Sequence, residues 1–207
     1  TLTDDPRKCV SIVKPDSYND YYPIYKGILT DFQTGRARCL AEILWLNPLS
    51  NRKYCVNGHI EALTSIDLAT FCSDWPDGNW ETRDKLYKQY KDYTLGLLYF
   101  LQNDPAVARV PQTEVSRFGL PADEYEDNEH FPWQLYVRQG RRIQGGYTMT
   151  EHDSIPPEGR VRPHIHKDTI GICEHSFDSH ACRNRDDEGA IVETSDGFQL
   201  LEGTIWF

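Results

Sequence analysis

The clearest pattern of apolar and polar positions lies between residues 80 and 103. Apolar side chains recur there three and four positions apart, the spacing that places them on one face of a helix: Leu86, Tyr90, Tyr93, Leu97, Leu98 and Leu101. Asn79 is a favourable N-cap, and Asn103-Asp104-Pro105 is typical of a helix end. The pattern predicts one long helix that buries its apolar face.

Weaker patterns precede this helix. Prolines predict an extended stretch over residues 1–25, without a helix: Pro6, Pro15 and Pro23. Residues 24–46 contain a helical spacing that Asn47-Pro48 would end: Ala37, Leu40, Ala41, Leu44 and Trp45. Residues 50–78 are rich in turn-forming residues, including Asn57-Gly58. The sequence therefore predicts one short helix followed by turns.

A second helix is predicted over about residues 105–118, with Gly119 directly after it. Residues 134–138 fit either a strand or the approach to a helical turn. Further strands are predicted from β-prone composition over residues 147–150, 169–172, 190–194 and 198–201.

Together these elements predict an α+β fold in one domain, with a helical first half packed on a mainly antiparallel sheet. Its parts are an irregular or helical opening (residues 1–78), a helical pair (79–120) and a β-rich part (131–207). The chain has 207 residues, of which 39% are apolar, and this is enough for a packed core.

The charge balance excludes two classes of partner. The formal net charge is −10, whereas nucleic acids and anionic membranes attract basic surfaces. No apolar stretch approaches the roughly 20 residues that span a bilayer. The acidic opening has no apolar run of a signal peptide, so we expect a mature or excised product. We expect neither nucleic acid nor a membrane as a partner.

Six cysteines permit three disulfide bonds, and this favours an extracellular setting. Cys173 and Cys182 are separated by a predicted turn and are expected to pair. Closing that short loop would contribute roughly 2–3 kcal/mol. The other four cysteines are expected to pair among themselves.

The same C-terminal segment permits a different interpretation, a metal site. It is dense in residues that bind metals: His164, His166, Cys173, His175, His180 and Cys182. Two of these histidines would lie on one side of a strand, which suits zinc or copper. Thiols in an oxidising compartment pair with each other instead, and the C-x-x-C pairs of zinc sites are missing. No metal is therefore predicted.

Several stretches, taken in order, are similar to one protein family. They are residues 2–6 (LTDDP), 95–101 (LGLLYFL), 119–125 (GLPADEY), 131–138 (FPWQLYVR), 141–143 with 146–153 (RRI, GYTMTEHD) and 168–171 with 178–180 (DTIG, DSH). The set resembles the FAD-dependent oxidoreductase family, sometimes labelled xanthan-lyase-like. The resemblance implies the substrate domain of a flavoprotein, FAD as the cofactor and hydride transfer from a small organic substrate.

One departure from the family concerns the flavin site. Such flavoproteins hold the FAD pyrophosphate in a glycine-rich turn at a helix N-terminus. None of the 14 glycines here forms a G-x-G-x-x-G pattern, and the family's later flavin-binding stretch would follow Phe207. We therefore expect that the Rossmann core is absent and that other chains supply most of the FAD-binding site.

The resemblance also implies six site residues. The catalytic ones, which would line the reactive side of the flavin, are Arg138, Arg142, Asp178 and His180, and those that would bind the cofactor are Arg141 and Tyr147. A histidine suits the removal of a proton while hydride leaves the substrate. Guanidinium groups would hold a substrate carboxylate, a flavin phosphate or the charge of the reduced ring.

Each role has an alternative. The arginines are also explained by ion pairs with the surplus of Asp and Glu, and a histidine is also explained as a hydrogen-bonded structural residue. His152, flanked by Glu151 and Asp153, is a second acid–base candidate. The apolar stripe of residues 80–103 is core rather than a cofactor contact.

Two functions therefore compete. The chain is a substrate-side subunit or fragment of a flavin-dependent oxidoreductase, or it is a non-enzymatic structural or ligand-binding subunit of a secreted multi-chain assembly.

Overall fold

The computed structural model describes residues 1–59, 64, 66, 74–137, 144–148, 153, 155–162, 165–168, 171, 184–185 and 191–192. The chain divides into two compact units, residues 1–140 with 185–191 and residues 141–184 with 192–207. Helices and antiparallel strands both occur, so the predicted α+β class is confirmed. Within the described ranges, no helix is long and apolar enough to cross a membrane.

The predicted long helix lies in the first unit. α1 spans Tyr18–Tyr25, α2 spans Gly27–Gln33, and the long helix, α3, spans Trp80–Asn103. The Thr82 N–H donates a hydrogen bond to Asn79 Oδ1 at 2.8 Å, which is the predicted N-cap. Most of the predicted apolar positions are buried, together with a glycine and a phenylalanine: Tyr90, Tyr93, Gly96, Leu97, Leu98, Phe100 and Leu101.

The prediction that prolines keep residues 1–25 free of helix is wrong, because α1 contains Pro23. Proline removes one intrahelical hydrogen bond. Three tyrosines of α1 are nevertheless buried in the core, and this packing outweighs the local cost: Tyr18, Tyr21 and Tyr25.

Tyr25 packs α1 against α3 at a glycine. Its hydroxyl donates a hydrogen bond to the Tyr93 carbonyl oxygen at 3.0 Å. A Cβ on Gly96 would overlap that hydroxyl, so the glycine permits the close approach. Burial raises the pKa of Tyr25, whose phenol stays neutral in the core.

A three-stranded antiparallel sheet, with strand order β1-β4-β3, precedes α3. β1 is Leu2–Thr3, β3 is Leu44–Leu49 and β4 is Lys53–Gly58. In the register, Leu44 pairs with Gly58 and Leu49 pairs with Lys53.

This hairpin corrects two predictions. Residues 24–46 do contain a short helix, α2, but the predicted spacing from Ala37 to Trp45 produces only a 3₁₀ turn at Leu40–Glu42, after which Leu44 opens a strand. Residues 53–58, predicted as turns, form the central strand of the sheet. Five apolar residues over nine positions fit a short helix and a buried strand end equally well, so periodicity alone misassigned them.

The second short sheet pairs β2 (Cys9–Val10) with β5 (Leu120–Pro121). Between α3 and β5, α4 spans only Arg109–Val115, which is shorter than the predicted 105–118. The Asp104 side chain accepts a hydrogen bond from the Ala106 N–H at 2.9 Å and closes a turn there instead.

The strands predicted after residue 133 have different outcomes in the structure. Residues 134–137 are not a strand, because the Val137 N–H donates to the Leu135 carbonyl oxygen at 3.1 Å in a tight turn. β6 (Asn184–Arg185) and β7 (Ile191–Val192) form a two-stranded sheet, and β7 lies within the predicted strand 190–194. Residues 147 and 148 carry no strand, and the strands predicted over 169–172 and 198–201 lie almost wholly outside the described residues.

Three of the six cysteines are described, and all three are free thiols: Cys9, Cys39 and Cys55. The expectation that they pair among themselves is therefore wrong. Cys9 points its thiol at the Thr3 carbonyl oxygen, 3.9 Å away, whereas Cys55 is exposed on β4. The predicted Cys173–Cys182 disulfide lies outside the described residues.

Candidate functional site

Of the six predicted site residues, the structure describes Tyr147. The other five lie outside the described residues: Arg138, Arg141, Arg142, Asp178 and His180. The second acid–base candidate, His152, also lies outside them. Within the described part of the chain, no group of three His, Cys, Asp or Glu residues is arranged to hold a metal ion.

Tyr147 belongs to a small polar cluster in the second unit. Its hydroxyl donates a hydrogen bond to Asp153 Oδ1, and this bond raises the pKa of Tyr147. The same Asp153 oxygen lies 3.5 Å from His166 Nε2, and the His166 and Tyr147 rings pack with centroids 5.2 Å apart. Asp153, predicted only as a neighbour of His152, thus contacts two groups from other positions in the chain.

A group of partly exposed ring systems lines a depression in the first unit. An open depression of about 540 Å³, here called the aromatic depression, is lined by Trp75, Trp133, Gln134, Leu135, Tyr136 and Val137. Five of these six residues come from the 131–138 stretch that resembles the flavoprotein family.

Alternating burial explains how this stretch presents its rings. Leu135 is buried in the core and Val137 is packed against it, so the backbone is anchored on one side. Tyr136, between them, points outwards with 47% of its surface exposed. Apolar residues two positions apart anchor the segment, and Tyr136 between them lies on its outer side.

Trp133 is fixed from two sides and remains open. Its ring stacks on Tyr87 with centroids 6.3 Å apart and an interplanar angle of 24°. Its Nε1–H donates a hydrogen bond to Asp127 Oδ1 at 3.2 Å. The residue is nevertheless 57% exposed.

Tyr87 is itself held in place beneath Trp133. The Tyr87 hydroxyl donates a hydrogen bond to the Pro132 carbonyl oxygen at 2.9 Å and accepts one from Asn128 Nδ2. Burial raises the pKa of Tyr87, which keeps the phenol neutral and able to donate. The indole of Trp133 therefore rests on a tyrosine whose own position is determined by two hydrogen bonds.

Arg83 on α3 fixes the opposite wall of the depression. Its Nε donates to the Trp75 carbonyl oxygen and its Nη2 to the Pro76 carbonyl oxygen, both at 3.0 Å. Its guanidinium lies over two indole rings, 5.9 Å from the Trp75 centroid and 5.4 Å from that of Trp80. Both walls are thus tied to the rigid α3 helix or to its N-terminal approach.

Two other stretches that resemble the family, residues 2–6 and 119–125, meet through the backbone. Thr3 and Gly119 exchange two hydrogen bonds, at 2.9 and 3.0 Å, and the Ala122 N–H donates to the Lys8 carbonyl oxygen at 2.8 Å. A Cβ on Gly119 would overlap the Val10 carbonyl oxygen, so only glycine fits this crossing.

Around that crossing lies an ion-pair cluster of Asp4, Asp5, Arg7, Lys8, Arg52, Lys53, Asp123 and Glu124. Asp123 accepts hydrogen bonds from Lys8 at 2.7 Å and lies 2.9 Å from Lys53, and these contacts lower its pKa to about 2. Arg52 has a φ of 57°, rare for a residue with a side chain, and its guanidinium binds Asp4. Each carboxylate has a cationic partner, so this cluster is a structural joint.

A phosphate-binding turn is not found among the described residues. The N-terminus of α3 is already occupied by the Asn79 side chain, and Glu81 in its first turn would repel an anion. No glycine-rich turn joins a strand to a helix in the described ranges. The aromatic depression can accept a flat ring system against Trp133. The described residues do not provide a site for the pyrophosphate of a dinucleotide.

Sequence reasoning missed the walls of the depression. Trp75, Trp133 and Tyr136 were not selected, although the high aromatic content and the 131–138 stretch pointed towards them. Pattern alone does not show that Trp133 stays exposed while it stacks on Tyr87.

The comparison with known proteins gives one match. The family model described as FAD dependent oxidoreductase matches residues 11–201. Neither a curated protein nor a solved structure matches the chain.

Proposed function

Because the chain belongs to the FAD dependent oxidoreductase family, we propose that it forms the substrate-side part of a flavin enzyme. FAD is the cofactor of this family, and when bound it accepts a hydride from an organic substrate. The proposal assigns to this chain the wall that contacts the substrate and the groups that orient it and receive its proton.

The aromatic depression carries this proposal. It lies within the family match, and its ring-bearing stretch leads directly into the predicted catalytic residue Arg138. Ligand sites combine apolar and aromatic walls with a few polar groups, here the amide of Gln134. A wall held by α3 keeps its geometry before a substrate arrives, which favours catalysis by positioning.

We further propose that FAD is held mainly outside this chain. The absence of a G-x-G-x-x-G pattern from the sequence supports this, as does the closed N-terminus of α3. Other chains would then supply the Rossmann core and the pyrophosphate site.

The predicted roles of the site residues remain part of the proposal. His180, oriented by Asp178, would accept the substrate proton, and Arg138 and Arg142 would face developing negative charge. Arg141 would bind the cofactor. Tyr147, as a neutral phenol bonded to Asp153, would offer its exposed ring to the cofactor.

The missing phosphate site also supports the second function. A subunit that binds a ligand at the aromatic depression, without flavin, would need no pyrophosphate cradle. In that case the chain would be a structural or ligand-binding subunit of a secreted multi-chain assembly. An extracellular location would then rest on the Cys173–Cys182 pair, since the three described cysteines are free thiols.

Flavin content of the natural full-length protein separates the two functions. We expect acid extraction to release a flavin, and native mass measurement to reveal the chains that carry the rest of its site. Arg141→Gln should lower the flavin content, whereas Arg109→Gln, an exposed arginine on α4, should leave it unchanged. A flavin-free monomer in every preparation would contradict the oxidoreductase and favour the ligand-binding subunit.

A further inference from the structure

We propose that the aromatic depression binds the flat face of a neutral sugar ring. As a statement about substrate class, this rests on the proposed function; as a statement about binding, it stands on the geometry of Trp75, Trp133 and Tyr136 alone.

Trp133 is held in position before any ligand arrives. An exposed indole side chain normally samples several rotamers, but Trp133 is restrained by the Tyr87 stack and by its hydrogen bond to Asp127. It keeps 57% of its surface exposed while restrained. A ring held in this way loses little further entropy when a ligand stacks on it, so a weak flat partner can bind.

The walls of the depression match the chemistry of a sugar ring. The face of an aromatic ring carries partial negative charge, which attracts the polarised C–H bonds on the flat side of a pyranose. The hydroxyl groups at the sugar's edge need donors and acceptors, and the side-chain amide of Gln134, a residue that lines the depression, offers both. The open shape leaves the remaining hydroxyls in water, so they incur no desolvation cost.

A cation is a poor occupant of the depression. Aromatic walls also attract ammonium groups, but the Arg83 guanidinium already lies over the Trp75 and Trp80 rings. A second cation against Trp75 would meet this like charge at short range. Arg83 at Trp75 thus disfavours a cation and the Asp127 carboxylate at Trp133 disfavours an anion, so the depression favours a neutral ligand.

Binding is measured with neutral trisaccharides of glucose, xylose, mannose and galactose, added to the natural full-length protein without substrate turnover. Tryptophan fluorescence and ligand-observed NMR report binding. We expect at least one trisaccharide to bind, and Trp133→Ala to weaken it roughly tenfold or more, the effect of losing a central aromatic contact.

Trp45→Ala is the matched control, because Trp45 is also exposed, at 58%, but lies on β3 outside the depression. Its affinity for the sugar should equal that of the unaltered protein. Circular dichroism must show that each variant is folded, and Trp133→Phe, which keeps a ring, should retain part of the affinity.

Three results would overturn the inference. They are failure of every trisaccharide to bind, equal loss of affinity in the Trp45 and Trp133 variants, and binding of riboflavin or tetramethylammonium in place of sugar. Sugar binding by a protein that carries no flavin would refute the proposed oxidoreductase and leave the sugar site intact. A protein that carries flavin but binds no sugar would refute the sugar site and leave the proposed oxidoreductase intact.

Discussion

Two regions that resemble the same family are built in opposite ways. In the ion-pair cluster, where residues 2–6 meet residues 119–125, each carboxylate has a cationic partner within the protein. In the aromatic depression, the walls are supported from behind, and their outer surfaces face solvent. The charged region thus pairs its own charges, whereas the aromatic region keeps ring surface exposed. Charge density is therefore a poor guide to the site in this chain.

Of the substitutions that test this contrast, Gly119→Ala is expected to change the free energy of unfolding most. The added Cβ would overlap the backbone oxygen of Val10, which cannot move without breaking the β2–β5 pair. We expect the free energy of unfolding to fall by about 2–4 kcal/mol, because overpacking against backbone is not relieved by a rotamer change. Urea denaturation measures this change.

Gly146→Ala is the control for this substitution, since a Cβ at position 146 meets nothing within 4 Å. It should change stability by less than about 0.5 kcal/mol. If Gly119→Ala were equally harmless, the crossing of residues 2–6 and 119–125 would not be the structural joint that we describe.

A smaller effect is expected from Tyr87→Phe, which tests the support behind Trp133. The substitution removes the hydrogen bond to the Pro132 carbonyl oxygen and leaves that of Asn128 without its acceptor. We expect a loss of about 1 kcal/mol in stability, the usual contribution of one such bond. The fluorescence anisotropy of the tryptophans should also fall as Trp133 becomes more mobile.

Tyr125→Phe serves as the control for Tyr87→Phe, because Tyr125 is exposed at 40% and lies outside the depression. It should leave both readouts unchanged. Unchanged anisotropy in Tyr87→Phe would show that Trp133 is held without the Tyr87 hydroxyl, by the ring stack and the bond to Asp127 alone.

How much of the fold the sequence predicted depended on the length of each pattern. α3 was predicted to within one residue, because six apolar positions and a cap at Asn79 agree over seven turns. The β3–β4 hairpin was missed, because its strands are six residues long and contain Asn47-Pro48, which disfavours both helix and sheet. β4 also pairs with β1, about fifty residues away in sequence, and local pattern does not contain that contact.

For the site, the sequence predicted the right segment, residues 131–138, but not the residues within it that are exposed. The 131–138 motif was selected for Arg138, whereas the described structure draws attention to Trp133 and Tyr136 from the same motif. Their exposure follows from Leu135 turning inwards and from the stack on Tyr87, forty-six residues earlier in the sequence. Such support is tertiary, so no reading of the motif alone would reveal it.

The smallest effect concerns acid stability and returns to the ion-pair cluster. Hydrogen bonds from Lys8 and Lys53 lower the pKa of Asp123 from 3.8 to about 2. A carboxylate whose pKa is lower in the folded state stabilises the fold above its ordinary pKa, and this contribution disappears as the pH falls towards the lower value. Asp123→Asn should therefore be less stable than the unaltered protein above about pH 4, and the difference should shrink towards pH 2.

Urea midpoints of both proteins, measured at intervals over this pH range, test that convergence. Asp84→Asn is the matched control, because Asp84 is an exposed carboxylate on α3 to which no described ion pair is assigned. It removes the same charge without removing a partner for Lys8 or Lys53, so its midpoint should run parallel to that of the unaltered protein. If the Asp123 curve also ran parallel, the ion pairs would contribute nothing to folding. The contrast between a self-satisfied cluster and an open aromatic site would then fail.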